Sequence, residues 1–397
     1  MTRNFLCCTL LWMVFFTPVF AQPKAEFRGV WIATVDNIDW PSKGNFDPAQ
    51  QRAEFIKLLD QHQANGLNAV VVQIRPCSDA FYPSQYEPWS AWLTGKQGAP
   101  PVPYYDPLQF MVTETHKRKM VFHAWMNPYR AEFNITADAT SATHITRIHP
   151  EWFITYGDKR YFDPGNKEAQ NYVVNIVKDV VSRYEVDAIH FDDYFYPYKI
   201  PGVNFNDKNS FDKYGNGLKL ADWRRSNTDS IISKISAAIK KENAHCKFGI
   251  SPFGVWRNKD MDPVNGSNTI GALTNYDDLY ADILKWLRLD WIDYVAPQLY
   301  WEFGHRRAAY ETLLNWWSKN TYGKHCYIGL GLFKTNSSAA WSAKSQIPRQ
   351  IEALRNTPNI QGMIFFSSIS FDKIPSGLSE LLREEYFNEP ASIPVFE

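Results

Sequence analysis

The sequence predicts a TIM-like parallel (β/α)8 barrel, an α/β fold with long aromatic-rich loops at the C-terminal strand ends. Three observations carry that expectation. Eight short apolar runs alternate with longer amphipathic stretches along nearly all of the 397 residues, as repeated strand–helix units require. No run leads into a Gly-rich GxGxxG loop, which disfavours the alternative, a doubly wound open sheet. Several runs open into long loops rich in Tyr, Trp, Pro and Asn, and in a barrel such loops gather at one mouth.

In chain order, strands are expected at 29–35, 68–75, 120–126, 187–192, 247–252, 292–300, 326–332 and 360–367. Helical patterns separate them, for instance at 48–64, 166–184, 218–241, 277–287 and 348–356. Asn65-Gly66 stops the first of these, and Asp163-Pro164-Gly165-Asn166 supplies a turn and an N-cap for the second. The loops 76–107, 127–161 and 194–213 are expected to build the ligand site. No Ser/Gly linker or repeat interrupts the pattern, so one domain is expected over 26–386, followed by a tail at 387–397.

Residues 1–21 read as a secretory signal peptide: Arg3 precedes an apolar run over 5–16, and Val19-Phe20-Ala21 places small residues before the cleavage point. The run is shorter than the ~20 residues that span a bilayer, and Cys7 and Cys8 lack a convincing lipobox. Export to the periplasm or cell envelope is expected, with association with the envelope and without a supported lipid anchor. Lys+Arg and Asp+Glu both number 42, which excludes a basic nucleic-acid footprint. After the signal only Cys77, Cys246 and Cys326 remain, odd in number and widely spaced, arguing against a disulfide scaffold or zinc site. No cofactor or metal is expected.

Side chains alternate along a strand, and the bulky aliphatic parity of a barrel faces its helices. Ile189 and Phe191 fit that outer parity, so Ala188, His190 and Asp192 point inward. The same test sends Gln73, Arg75, His123, Asn127, Ser251, Ala296, Gln298 and Tyr300 inward, and Glu302 continues the last parity. A polar ring of Arg75, Asn127, Asp192, Tyr300 and Glu302 is therefore expected at the barrel top.

Four stretches make the chain familiar: 27–41 (FRGVWIATVDNIDWP), 123–130 (HAWMNPYR), 190–197 (HFDDYFYP) and 297–301 (PQLYW). It closely resembles the glycosyl hydrolase-like ten family of bacterial envelope proteins over 26–367. The resemblance implies a TIM-like barrel, glycosidase activity and, as substrate, peptidoglycan glycan strands lacking stem peptides.

Glycoside hydrolysis generally needs one carboxyl group as acid and another as nucleophile or base. Asp192 is the first candidate. Asp193 is adjacent but of opposite parity and reads more as an orienting group, unless the strand end twists. Glu302 is the expected second carboxylate, with Asp36, Asp39 and Asp79 as substitutes. The stretch 187–194 is also similar to the DGxDxDxE signature of chitinase-like barrels, but His190 and Tyr194 replace two of its acids. Only the Asp192 position survives, which leaves that pattern's full acetamido-assisted mechanism unsupported.

Aromatic rings bind the apolar faces of sugars, and Tyr82, Trp89, Trp92, Tyr129, Tyr196, Tyr198, Trp256 and Trp301 stand in loops after strands. Arg75, Arg130 and Arg257 are candidates to pair with carboxylates, including the lactyl group of N-acetylmuramic acid; internal ion pairing is the alternative for Arg75. With Asn127, His190, Gln298 and Tyr300 they complete the expected substrate contacts. An external polysaccharide as substrate, or a barrel that binds glycan without cutting it, remains the competing reading.

Overall fold

The computed structural model describes residues 24–136, 140–342, 345–373 and 377–396. The expected signal peptide lies outside them. Eight parallel strands close a barrel: β1 (Phe27–Ile32), β2 (Ala69–Arg75), β3 (Val121–Met126), β7 (Ala188–Phe191), β8 (Lys247–Ile250), β9 (Tyr294–Val295), β10 (His325–Leu330) and β11 (Gly362–Phe365). Closure is made by β1 against β11, with Phe27 opposite Gly362. Each of the eight expected strands is present, and the barrel prediction holds.

A helix follows every barrel strand. Pro48–Ala64, Pro107–Lys117, Lys167–Arg183, Leu220–Glu242, Ile283–Arg288, Tyr310–Ser318 and Gln346–Arg355 link successive strands, and Ser368–Lys373 follows the last. Asn166 caps its helix by accepting from the Glu168 and Ala169 amides, as its sequence signal indicates. The helix expected at 277–287 begins only at Ile283, because Asp282 is its N-cap and accepts from the Lys285 amide. Strand β9 is likewise shorter than expected. Pro297 has no N–H to pair, and beyond it Gln298 touches its neighbours only as isolated bridges to Phe253 and Gly329.

The alternation of side chains builds two apolar layers. Val30, Val70, Val72, Phe122, Ile189, Phe191, Ile250 and Ile328 face the helices, while Phe27, Trp31, Val71, Trp125, Tyr294, Tyr327 and Ile364 fill the lumen. Large lumen rings need small neighbours: a Cβ on Gly249 would lie 2.0 Å from the Tyr294 ring. The lumen is thus a packed core.

The stretch 127–161, expected as a loop, carries a small antiparallel sheet of order β4-β6-β5, formed by β4 (Arg130–Glu132), β5 (Phe153–Tyr156) and β6 (Lys159–Phe162). It stands beside the C-terminal mouth. At the opposite mouth, residues after Phe387 cross the strand starts: Ser392 pairs with Ala25, and Phe396 stacks on His325 at 4.1 Å. No helix of the described residues is long and apolar enough to cross a membrane, and Cys77, Cys246 and Cys326 are free and buried.

Candidate active site

Strand β7 ends at Phe191, and the next two residues put Asp192 and Asp193 into one cavity of about 340 Å³ at the C-terminal mouth. Asp192 is fixed from β3 and its extension. Its Oδ2 accepts from Trp125 Nε1 and from Asn127 Nδ2, both at 3.1 Å, while Oδ1 accepts from the Tyr194 amide at 3.4 Å. Asn127 is itself held, since its Oδ1 accepts from the Arg130 amide at 2.8 Å. Burial raises the Asp192 pKa, and the Arg130 charge and these donors oppose that rise. The result is a carboxylate held in one orientation and given three N–H donors.

Asp193 has different partners. The Tyr198 hydroxyl donates to it, and Gln298, whose Nε2 also donates to the Ser251 carbonyl at 3.0 Å, bonds it from β9's extension. Burial first and the adjacent Asp192 second push its pKa up to about 7. One carboxyl group oriented by N–H donors and one poised to carry a proton near neutrality is an acid–base division of labour. Trp31, Trp125, Tyr194, Tyr300, Phe333 and Phe366 wall the same cavity, and aromatic walls suit the apolar faces of a sugar.

The glycosyl hydrolase-like 10 family model matches residues 26–347. This chain belongs to that family. It is 46% identical to the glycosyl hydrolase YngK of Bacillus subtilis, over 94% of this chain and 74% of that one. It is 39% identical to the glycosyl hydrolase DigH of Escherichia coli K12, over 93% and 85% respectively. Among solved structures it resembles the catalytic domain of a Paenibacillus polymyxa β-amylase (TM-score 0.59, 12% identity, 93% of this chain and 99% of that one). The PgaB glycoside hydrolase domain of Bordetella bronchiseptica is similar too (TM-score 0.55, 14% identity, 94% and 100%). The last two likenesses concern the fold alone. Family membership makes the chain a glycoside hydrolase.

Of the residues singled out from sequence, the cavity of this glycosyl hydrolase-like 10 chain gathers Asp36, Gln73, Arg130, Asp192, Asp193, Ser251, Gln298 and Tyr300. Glu302 does not line it. Its carboxylate instead accepts from Trp341 Nε1 at 3.0 Å, because β9 stops pairing at Val295 and strand parity no longer aims a residue seven positions later. Asp39 is tied to the Ala33 and Ile369 amides and Ser367, and Asp79 is buried near Gln97. Burial lifts each to about 6. Both stand outside the cavity.

Arg75 is also outside. Its guanidinium grips buried Glu87 through Nε at 2.7 Å and Nη2 at 2.6 Å, a bidentate pair that leaves no role toward a sugar. A register shift in β2 between Gln73 and Arg75 explains why inward parity fails there. Arg257 is committed to Asp277 through two bonds of 2.9 Å. His190 lies beneath the cavity floor. Trp31 Nε1 donates to its Nε2 at 3.3 Å, so its Nδ1 carries the proton toward the Tyr294 hydroxyl at 2.9 Å. That hydroxyl in turn faces His123 Nδ1 at 2.9 Å, and burial holds the His190 pKa well below its usual value.

The loop aromatics divide similarly. Tyr82, Tyr129, Tyr196 and Trp256 are buried, Trp256 stacking on Trp316 at 5.9 Å, while Trp301 packs edge-on against Phe253. Tyr198 reaches Asp193 but the others named do not line its cavity. The rings that do, Trp31 and Trp125 above all, were open to sequence reasoning, since Trp125 shares inward parity with His123 and Asn127. Their aromatic bulk reads as core. Among the described residues no three His, Cys, Asp or Glu side chains gather as a metal-ion site.

Proposed function

We propose that this glycoside hydrolase is exported to the cell envelope and cleaves peptidoglycan glycan strands from which the stem peptides have been removed. Asp192 and Asp193 supply the carboxyl chemistry. The observation that carries the reading is the paired, unequally held aspartates in an aromatic cavity whose lining includes a cation, Arg130. In peptide-free strands each N-acetylmuramic acid exposes a lactyl carboxylate, which an arginine recognises by charge and by its planar donors. A stem peptide turns that carboxylate into an amide and adds bulk, so a cavity of about 340 Å³ disfavours intact wall. Export draws its support from the N-terminal sequence, and the substrate from the family resemblance.

The experiment compares amidase-treated with untreated sacculi, reading released glycan fragments by chromatography. Cleavage is expected on the treated material alone, and Asp192→Asn, which keeps shape but removes charge, is expected to lower the rate by about a thousand-fold or more. Equal cleavage of both materials would refute the selectivity. Cleavage of neither would shift the reading to an external polysaccharide or to a glycan-binding barrel.

A further inference from the structure

Among the described residues, no held carboxylate lines the side of the cavity that faces the two aspartates; Asp39, tied to the Ala33 and Ile369 amides and to Ser367, stands behind it. Strands β7 and β11 stand four places apart in the eight-stranded barrel, directly across the lumen. The end of β11 presents Phe366, between Trp31 of β1 and Phe333 beyond β10, and all three line the cavity. A retaining glycosidase that uses its own nucleophile needs a second carboxyl group about 5 to 5.5 Å from the acid, across the scissile bond; an inverting one needs a base about 6.5 to 9.5 Å away. Asp192 and Asp193 both enter the cavity from the end of β7. Besides them, Asp36 is the acid lining the cavity among the described residues. Its side chain is 54% exposed and paired with Lys43 at 3.2 Å, so it is solvated rather than aimed.

From this arrangement we infer that hydrolysis is assisted by the substrate. The 2-acetamido oxygen of the sugar bound in the cavity is the nucleophile, Asp192 orients the acetamido group, and Asp193 is the acid and then the base. The inference rests on the reading above that the glycan is N-acetylated. Three N–H donors occupy part of the Asp192 carboxylate's roughly four acceptor sites, which leaves room for the acetamido N–H. As the acetamido oxygen bonds to C1, the C1–O glycosidic bond breaks, its electron pair goes to the leaving oxygen, and that oxygen takes the Asp193 proton. The positive charge of the resulting oxazolinium ion lies against the Asp192 carboxylate. Water then adds to C1, Asp193 takes the water's proton, and the C1–O bond to the acetamido oxygen breaks to restore the amide. The anomeric configuration is retained.

The test uses the full chain on peptide-free strands and on the same strands chemically N-deacetylated, with N-acetylglucosamine-thiazoline as a stable mimic of the bicyclic intermediate. At least a hundred-fold slower cleavage of the deacetylated strands is expected, together with competitive inhibition by the thiazoline on the acetylated ones. Equal rates on both strands, or a covalent glycosyl–carboxylate adduct detected by mass spectrometry, would overturn the acetamido step while leaving the proposed substrate standing. Failure to cut the acetylated strands would remove the substrate reading and this inference with it.

Discussion

Asp193 carries its proton near neutrality because burial and a neighbouring carboxylate both disfavour its charge, and the pH dependence of activity follows. In the mechanism proposed above, turnover needs Asp193 protonated and Asp192 ionised. Activity is therefore expected to fall as pH rises through about 7, and to fall on the acid side as Asp192, itself raised by burial, takes up a proton. The two limbs belong to the pair as a unit. Stability follows the same sign: a carboxyl group whose folded pKa lies above its unfolded value favours the fold below the unfolded pKa, and that contribution is lost as pH rises through about 7. Asp193→Asn is expected to abolish turnover yet raise stability at pH 8 by on the order of 2 kcal/mol, a few degrees in Tm, with little change below pH 4. Calorimetry at both pH values checks this, and a lower Tm at pH 8 would contradict it. Sequence parity put Asp192 first and read Asp193 more as an orienting group unless the strand end twists; alternation binds side chains only while the backbone pairs, and β7 ends at Phe191.

The elements around the pair show where such reasoning holds. Short apolar runs announced all eight barrel strands, since each is buried on both faces. The sheet of β4 (RAE), β5 (FITY) and β6 (KRYF) escaped this reading because its strands mix charged and polar residues and offer no apolar run. Strand β3 gives Asp192 the Trp125 N–H at 3.1 Å. Trp125→Phe keeps a ring in the lumen and removes that donor, so a loss of about ten-fold or more in kcat is expected, with a modest fall in Tm from the smaller ring. Circular dichroism melts beside steady-state kinetics separate the two effects; an unaltered kcat would show that the donor does not serve catalysis. Arg75 on β2 predicts the reverse. Arg75→Met strands a buried Glu87 and is expected to cost about 3–5 kcal/mol, while the protein that remains folded keeps its KM. A rise in KM without lost stability would return Arg75 to the substrate.

Taken whole, the barrel divides its work between two mouths. The C-terminal mouth carries the aspartates, whereas the other is covered by the end of the chain. Arg28 shows how that cover is fastened: its Nη1 donates to the Glu389 carbonyl at 2.8 Å, and its guanidinium lies 4.8 Å over the Phe387 ring. Arg355 approaches the same ring at 5.5 Å, and Glu26 bonds both arginines, to Arg28 Nε and Arg355 Nη2 at 2.7 Å each. Phe387 is 4% exposed, packed edge-on to Phe365 of β11. Between the mouths the lumen is filled by rings joined through His190, Tyr294 and His123. Phe387 belongs to the outer apolar layer and not to these lumen rings. Phe387→Ala is accordingly expected to destabilise the chain by about 3 kcal/mol through lost burial and an unfilled cavity, and also to remove the cation–π contacts of both arginines. Below the melting range, kcat and KM are expected to stay within about two-fold of the parent, because the change lies at the opposite end of the barrel from Asp192. A chemical denaturation curve run beside kinetics on the same preparation decides it. A kcat that fell in step with stability would mean that the tail shapes the catalytic mouth through the lumen.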